Sequence, residues 1–224
     1  MWEMFLLCFI KSELFKDTAN VRSAKIAKGA MSGMIGNKGC IAYNFTLLGR
    51  NFNIVATHLR HGQNATEERD EMASELINEL RFQHIQKTIP DLECDQFSDI
   101  CIFMGDMNYR MNTRYQDFNN LNVKQTAVAK IPTLDQLVAS LAQGNYPDYK
   151  EAPINFLPSY KLNKEATNYI DKKDQAPSYC DRVLYKNNSE MEIVVHEYKC
   201  MHEVLGSDHR PVVLSFKIKN FGHP

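Results

Sequence analysis

The chain has 224 residues, 44% of them hydrophobic and 24% charged, with a formal net charge of -1. That composition suits a soluble globular protein of one large or two small domains. A near-zero charge excludes a global basic field pulling the chain onto nucleic acid or acidic membrane, so anion binding has to come from local clusters.

The opening stretch, Met1 to Ile10, is apolar, too short to span a bilayer, and lacks a basic lead-in. No signal peptide is expected from it. Within it, Phe5 to Ile10 reads as a buried strand. Val21 to Ala27 alternates as a second strand. Gly29 to Gly39 is glycine-rich, with Ser32-Gly33, Gly36-Asn37 and Lys38-Gly39. Backbone N–H groups of such a loop, with its one lysine, Lys38, can wrap a phosphate. The Walker spacing is absent, and a flexible hairpin connection explains the stretch equally well.

Cys40 to Leu47 and Phe52 to Thr57 form a predicted hairpin across Leu48-Gly49-Arg50-Asn51. The second strand ends at Thr57-His58-Leu59, although a lone histidine is more often structural than functional. Asn64 to Ile89 is the longest predicted helix, with a capping-box-like Asn64 and Glu67 and a stop at Pro90. Met72, Leu76, Ile77 and Leu80 share its apolar face. Glu67 to Glu71, including Arg69 and Asp70, reads as a solvated first turn.

Ile100 to Met104 is an unbroken apolar run, the pattern of a strand buried on both faces. Gly105 ends it, and Asp106 and Asn108 follow two apart. In extended chain they would point to the same side. Asp106 can accept a proton from water and Asn108 can donate to an anionic oxygen. A polar turn is the plainer alternative.

Thr113 to Val128 reads as a polar helix, and Thr133 as the cap of a short helix closed by Gly144. Pro153 to Tyr160 is extended and ends in Ser159-Tyr160-Lys161. Lys161, Lys172, Lys173 and Arg182 give the following region a positive charge that the whole chain lacks. Such a cluster points to a multiply charged anion such as a polyphosphate, against the alternative of a solvated lysine-rich loop. Met191 to Tyr198 alternates as a strand. Asp208 and His209 stand just before a last strand, Val212 to Ile218. Neighbours point apart in extended chain, so Asp208 would serve a metal and His209 a phosphate oxygen or a carboxylate. The six cysteines are scattered without zinc-ligand spacing and read as free thiols of a reducing compartment, the cytosol.

Three motifs sit at strand boundaries: Gly-Asp-Met-Asn at 105–108, Pro-Ser-Tyr-Cys-Asp-Arg at 177–182 and Ser-Asp-His-Arg-Pro at 207–211. In this order they resemble the inositol polyphosphate 5-phosphatase family of the deoxyribonuclease-I-like (endonuclease/exonuclease/phosphatase) superfamily. Phe103 to Arg110 is similar to that family's Trp-x-Gly-Asp-x-Asn-Tyr-Arg motif. Pro177 to Tyr185 is similar to its Pro-Ala/Ser-Trp-Cys-Asp-Arg-Ile/Val-Leu-Trp motif, with Tyr179 and Tyr185 in place of Trp. Met31 to Gly39 looks like its Gly-x-Met-Gly-Asn-Lys-Gly loop and Thr57-His58-Leu59 like its Ser-His-Leu. The resemblance covers nearly all of the chain.

It implies a single catalytic domain over residues 1–224: a two-layer α/β sandwich, mixed sheets face to face with helices outside. It implies a magnesium-dependent phosphomonoesterase that removes the 5-phosphate from inositol polyphosphates or phosphoinositides. Asp106 would orient and deprotonate the attacking water, and Asn108 would hold the transferring phosphate. His58 and His209 would donate to phosphate oxygens, Asp181 would fix His209, and Asp208 would help hold Mg2+. Asn37, Lys38 and Arg182 join the substrate-binding set, and the 4-phosphate contacts fall on Tyr160, Lys161 and Lys173. Where the family often carries an arginine two residues after that lysine, this chain has Gln175.

The family's first strands, with a magnesium-ligating Asn and Glu, should lie upstream of Phe5. The domain is therefore expected to be N-terminally incomplete, a truncation that would weaken both metal binding and the sheet. Two alternatives stand beside this: a catalytically inactive phosphoinositide-binding module, and a nuclease or sphingomyelinase of the same superfamily. The remaining expectations are a cytoplasmic monomer with peripheral membrane contact and no nucleic-acid partner.

Overall fold

The computed structural model describes residues 4–30, 35–85, 97–119, 124–171 and 174–220. Its centre is a mixed sheet of β1 (Thr18–Ala30), β2 (Ile35–Leu47), β3 (Arg50–His58), β4 (Ile100–Asp106), β5 (Lys150–Glu151) and β6 (Asp181–Asn187), in the order β1-β2-β3-β4-β6-β5. The β3–β4 pairing is parallel and the others are antiparallel. A parallel pair needs a long crossover, and α1 (Thr66–Ile85) lies within it. A second, two-stranded sheet pairs β7 (Glu192–Cys200) with β8 (Val212–Lys219).

The two faces of the large sheet are covered differently. On one, Ala24, Ile26, Ala42, Val55, Phe103 and Leu184 pack against Ala73, Leu76, Ile77 and Leu80 of α1. On the other, Phe52, Ile102 and Val183 share a core with Ile193, Tyr198, Cys200, Leu214 and Phe216 of β7 and β8. Ile100 to Phe103 are buried as the apolar run predicts, because β4 lies between β3 and β6 with a layer on each face. The predicted architecture of sheets face to face with helices outside is the one observed.

The hairpin closes on Leu48 (φ 49°) and Gly49 (φ 76°), both left-handed. Two positive φ values match the twist of the flanking strands. Gly105 (φ 134°) lies directly against β3: a Cβ there would lie 2.0 Å from the Thr57 carbonyl oxygen. Only glycine fits that approach.

Several expectations are corrected. Phe5 to Ile10 forms no strand. Leu6 turns inward, while Phe5, Leu7 and Phe9 are 86%, 73% and 87% exposed. No described strand lies beside this stretch to bury its other face. A 3-10 turn at Ser12–Asp17 follows it. The long helix starts at Thr66, two residues after Asn64; its end at Ile89 and the stop at Pro90 lie outside the described residues. The segment from Thr113 is two helices, α2 (Tyr115–Asn119) and α3 (Lys124–Leu134). Asp135, not Thr133, caps α4 (Gln136–Ala142), its side chain accepting from the Val138 N–H at 3.0 Å. Thr133 belongs to α3 and donates to the Lys130 carbonyl.

The charged first turns of α1 are not all solvated. Arg69 is fully buried, donating to the Arg60 and Gly62 carbonyls (3.2 and 2.7 Å) and to Gln136 Oε1 (2.5 Å). Asp70 accepts from Tyr109, Ser140 and Asn145. These bonds tie the helix to α4 and to the segment after β4. Charge periodicity could not show them, because their partners are distant in sequence.

Candidate active site

Three strands end in one row. Across the parallel pair, His58 of β3 is in register with Asp106 of β4; across the antiparallel pair, Asp106 is in register with Asp181 of β6. His58 Nε2 lies 3.3 Å from Asp106 Oδ2. His209, from the turn before β8, completes the group. Its Nδ1 lies 2.9 Å from Asp181 Oδ2, and its Nε2 lies 3.9 Å from Asp106 Oδ2. The five residues predicted as catalytic thus converge. His58, Asp106, Asn108 and His209 line a cleft of about 330 Å³ with His61, Arg110, Tyr160, Gln175 and Asp208, and Asp181 stands behind His209.

Asp106 and Asn108 do converge, but through a turn and not through extended chain. β4 stops at Asp106; Asn108 takes a left-handed φ of 57°, and its N–H donates to Asp106 Oδ1 at 3.1 Å. Short polar side chains favour such local bonds. The carboxamide is then clamped. Arg110 Nη2 donates to Asn108 Oδ1 at 2.6 Å, and Asn108 Nδ2 donates to the Leu59 carbonyl at 3.1 Å. A carboxamide nitrogen carries two protons, so one N–H remains for a ligand.

A stack supports the other wall. The Arg110 guanidinium carbon sits 4.7 Å from the Tyr160 ring centre, and that ring lies 4.4 Å from the His209 ring. Ser159 donates to Asp181 Oδ2 at 2.7 Å and so braces the histidine's tether. Lys161 bridges to Asp208 at 2.7 Å. Lys38 Nζ reaches His58 Nε2 at 2.5 Å, bringing two cation-forming groups to one point. Tyr160 therefore lines the cleft, Lys38 and Lys161 border it through His58 and Asp208, and Asn37 lines an adjoining cavity. Lys173, like Lys172, lies outside the described residues.

Arg182 is corrected. It is fully buried, donating to both Asp135 oxygens at 3.0 Å and to Glu151 at 2.7 and 2.6 Å. Inside β6 its side chain points to the face opposite Asp181, because neighbours on a strand alternate. It serves the core rather than the substrate.

The electrostatics assign protons. Burial alone would lower the His209 pKa. The bond and charge of Asp181, with the charges of Asp106 and Asp208, outweigh burial and raise it above the ordinary imidazole value. Burial pushes Asp106 up, but the bond from His58 and the charges of His209, His58 and Arg110 bring it below the usual carboxylate value. Both shifts favour an ionised carboxylate beside a protonated imidazole.

Asp106, Asp181 and His209 offer ligand atoms within 4.8 Å of one another, an acidic group with the spacing of a metal site. As a donor set it is open. His209 has its Nδ1 committed to Asp181, and Asp181 Oδ2 is committed to His209 and Ser159. Asp106 remains, together with Asp208 on the same cleft, whose expected role rests on a carboxylate already paired with Lys161. One or two carboxylates fit a hard cation that completes its shell with water and phosphate oxygens.

Sequence reasoning missed Arg110, Ser159 and His61. The first two stood inside quoted motifs without a role. His61 had no signal beyond lying three residues after His58.

The profile of the endonuclease/exonuclease/phosphatase family 2 matches residues 1–215. The polyphosphatidylinositol phosphatase INP53 of Saccharomyces cerevisiae is 29% identical over 223 residues, covering 98% of this chain and 19% of the yeast protein. Type I inositol polyphosphate 5-phosphatase 1 of Arabidopsis thaliana is 28% identical over 225 residues, covering 95% of this chain and 36% of the plant protein. Among solved structures, the inositol polyphosphate 5-phosphatase domain of SPsynaptojanin, in complex with inositol (1,4)-bisphosphate and a calcium ion, matches with a TM-score of 0.78 at 25% identity. The match covers 92% of this chain and 58% of that one. A Cimex nitrophorin shares the fold at 21% identity, with a TM-score of 0.69 and coverage of 93% and 68%. The chain thus spans a fifth to about a third of these two curated relatives and 58% of the synaptojanin domain.

Proposed function

The chain belongs to the endonuclease/exonuclease/phosphatase family 2, and on that premise we propose that it hydrolyses the 5-phosphate of inositol polyphosphates or phosphoinositides. The observation that carries this is the row of strand ends His58, Asp106 and Asp181, with His209 tethered over it. The row pairs a base with cationic donors, as phosphate-ester hydrolysis requires.

Asp106 is ionised and hydrogen-bonded through its other oxygen, so it orients a water and takes its proton as the new P–O bond forms. His209, protonated and held by Asp181, donates to a phosphate oxygen and offsets the growing charge. The spare Asn108 N–H donates to the same group, while His58, whose Nε2 lies against Lys38 and Asp106, holds the carboxylate in place. The ester P–O bond breaks, and the departing inositol oxygen takes a proton from solvent water, releasing inorganic phosphate and an inositol hydroxyl. Asp106 and Asp208 would hold a magnesium ion, which when bound supplies further neutralisation of the phosphate charge. Tyr160, Lys161 and Lys173 are assigned to a 4-phosphate on the substrate. The setting proposed is the cytoplasm, with membrane contact made through a lipid substrate.

The test is phosphate release from a 5-phosphorylated inositide with magnesium present, wild type against Asp106→Asn. Release that depends on Asp106 supports the reading. Specific binding of the same inositide without release, in wild type, would support the inactive binding module instead.

A further inference from the structure

Gln136 opens α4, is 3% exposed, and is not among the residues that line the cleft. It meets the segment after β4 edge to edge. The Gln136 N–H donates to the Arg110 carbonyl at 3.0 Å, and the Asn112 N–H donates to the Leu134 carbonyl at 2.7 Å. Met111 and Asp135 bridge between those bonds. Its side chain then fills every hydrogen-bonding position of its amide. Oε1 accepts from Arg69 Nη2 at 2.5 Å and from the Arg110 N–H at 2.9 Å. Nε2 donates to the Gln63 carbonyl at 2.9 Å and to Asn112 Oδ1 at 2.7 Å.

We propose that Gln136 is a positioning residue for the hydrolytic step, holding Arg110 so that its guanidinium fixes the Asn108 carboxamide toward the phosphate. The proposal rests on the 5-phosphatase reading for the reaction that it serves.

The bonds run without a gap from Gln136 to the cleft. Gln136 grips both backbone groups of Arg110. Arg110 in turn grips both oxygens of Asn108, the carbonyl through Nε at 3.0 Å and Oδ1 through Nη2 at 2.6 Å. Asn108 has a left-handed φ of 57°, a conformation that persists where its surroundings over-determine it. The carboxamide is clamped from its other end by the Leu59 carbonyl. Gln136 reaches that side too, through the Gln63 carbonyl and through Arg69, which donates to the Arg60 and Gly62 carbonyls. One buried amide therefore joins the two segments between which Asn108 is held. Bonds of this kind strengthen one another where water is excluded. The same arginine stacks on Tyr160, and Tyr160 on His209, so a shift of Arg110 reaches the opposite wall as well. The spare Asn108 N–H gains strength as charge grows on the phosphate, so a loosened carboxamide is felt in turnover more than in binding.

The test is a double-mutant cycle between Gln136 and Asn108, read as kcat and KM for a 5-phosphorylated inositide. Gln136→Met, close in shape and without the amide, should lower kcat about tenfold or more and leave KM nearly unchanged. In an Asn108→Ala background the same change should have almost no effect. Gln136→Glu keeps the oxygen shared by Arg69 and the Arg110 N–H, and should recover part of the loss. Where Gln136→Met does not fold, Gln136→Asn, one methylene shorter and unable to hold all four partners, takes its place. Leu80→Ala, in the buried face of α1, is the control for lost stability. It should lower the unfolding midpoint and leave kcat per folded molecule within about twofold. A second readout needs no turnover: the Asn108 side-chain amide resonance, assigned by its absence in Asn108→Ala. It should move in Gln136→Met and stay in Leu80→Ala. The full loss of kcat in both backgrounds, an unchanged kcat, or an unmoved resonance overturns the proposal. A wild type that releases no phosphate would overturn the hydrolytic reading instead, and the resonance alone would then decide whether Gln136 positions Asn108.

Discussion

His58 and Asp106 face each other across the parallel β3–β4 pair, Nε2 to Oδ2 at 3.3 Å, at the level where both strands end. Gly105 makes this possible. It lets β4 run against the Thr57 carbonyl one residue before the pair, where any Cβ would lie 2.0 Å from that oxygen.

Gly105→Ala should therefore damage the fold as well as the site. The substitution adds a clash with backbone to a φ of 134°, and strained backbone alone costs about 1–3 kcal/mol. A total loss of roughly 3 kcal/mol or more is expected, placing it in the severe class. Urea unfolding of the variant beside wild type measures it. An unchanged midpoint would mean the two strands do not meet as described.

Asp181→Asn should lower turnover by about a hundredfold or more, the usual contribution of a positioned proton donor. The pH profile separates this from a loss of fold. Asp181 is the first group that raises the His209 pKa against burial. Activity that needs the imidazolium is present below the raised pKa and lost as pH rises through it. Without Asp181, only the charges of Asp106 and Asp208 oppose burial, and the basic limb of kcat/KM should move to lower pH. A limb that stays in place would assign that ionisation to another group.

Arg182→Ala should destabilise without a substrate-specific effect. It leaves the side-chain carboxylates of Asp135 and Glu151, 0% and 7% exposed, without their cation. Breaking a buried pair costs about 3–5 kcal/mol. Thermal unfolding should show the loss, while KM measured at low temperature on the folded fraction should not change. A raised KM with normal stability would return Arg182 to the substrate.

Lys161→Ala should discriminate between substrates. Its ammonium is 2.7 Å from Asp208 and 5.3 Å from the Tyr160 ring centre, at the edge of the cleft. A charge-assisted contact is worth ~1.5–3 kcal/mol, so KM for a substrate with a 4-phosphate should rise about tenfold or more. The matching substrate without that phosphate should be little affected. Equal losses on both would place Lys161 in a general role through Asp208.

Some of this molecule is written locally. Ile100 to Met104 followed by Gly105 specifies a central strand and its end, because an unbroken apolar run satisfies itself only between two layers. Leu48-Gly49 between two strand patterns specifies the hairpin. The chemistry of Asp106, Asn108 and His209 was legible because each stands next to a strand boundary, whereas the role of Asp181 came from the resemblance. What tertiary structure decided was register and partnership. Nothing near Asp106 in sequence says that His58 and Asp181 lie level with it; that follows from how β3 and β6 pair with β4. Nothing near Arg182 says that it turns into the core while Asp181 turns to His209; the partners Asp135 and Glu151 come from α4's cap and from β5. The apolar run at Phe5 shows the converse. Its residues suit burial, yet burial needs a neighbouring surface, and the pattern of one strand does not contain the surface that covers it.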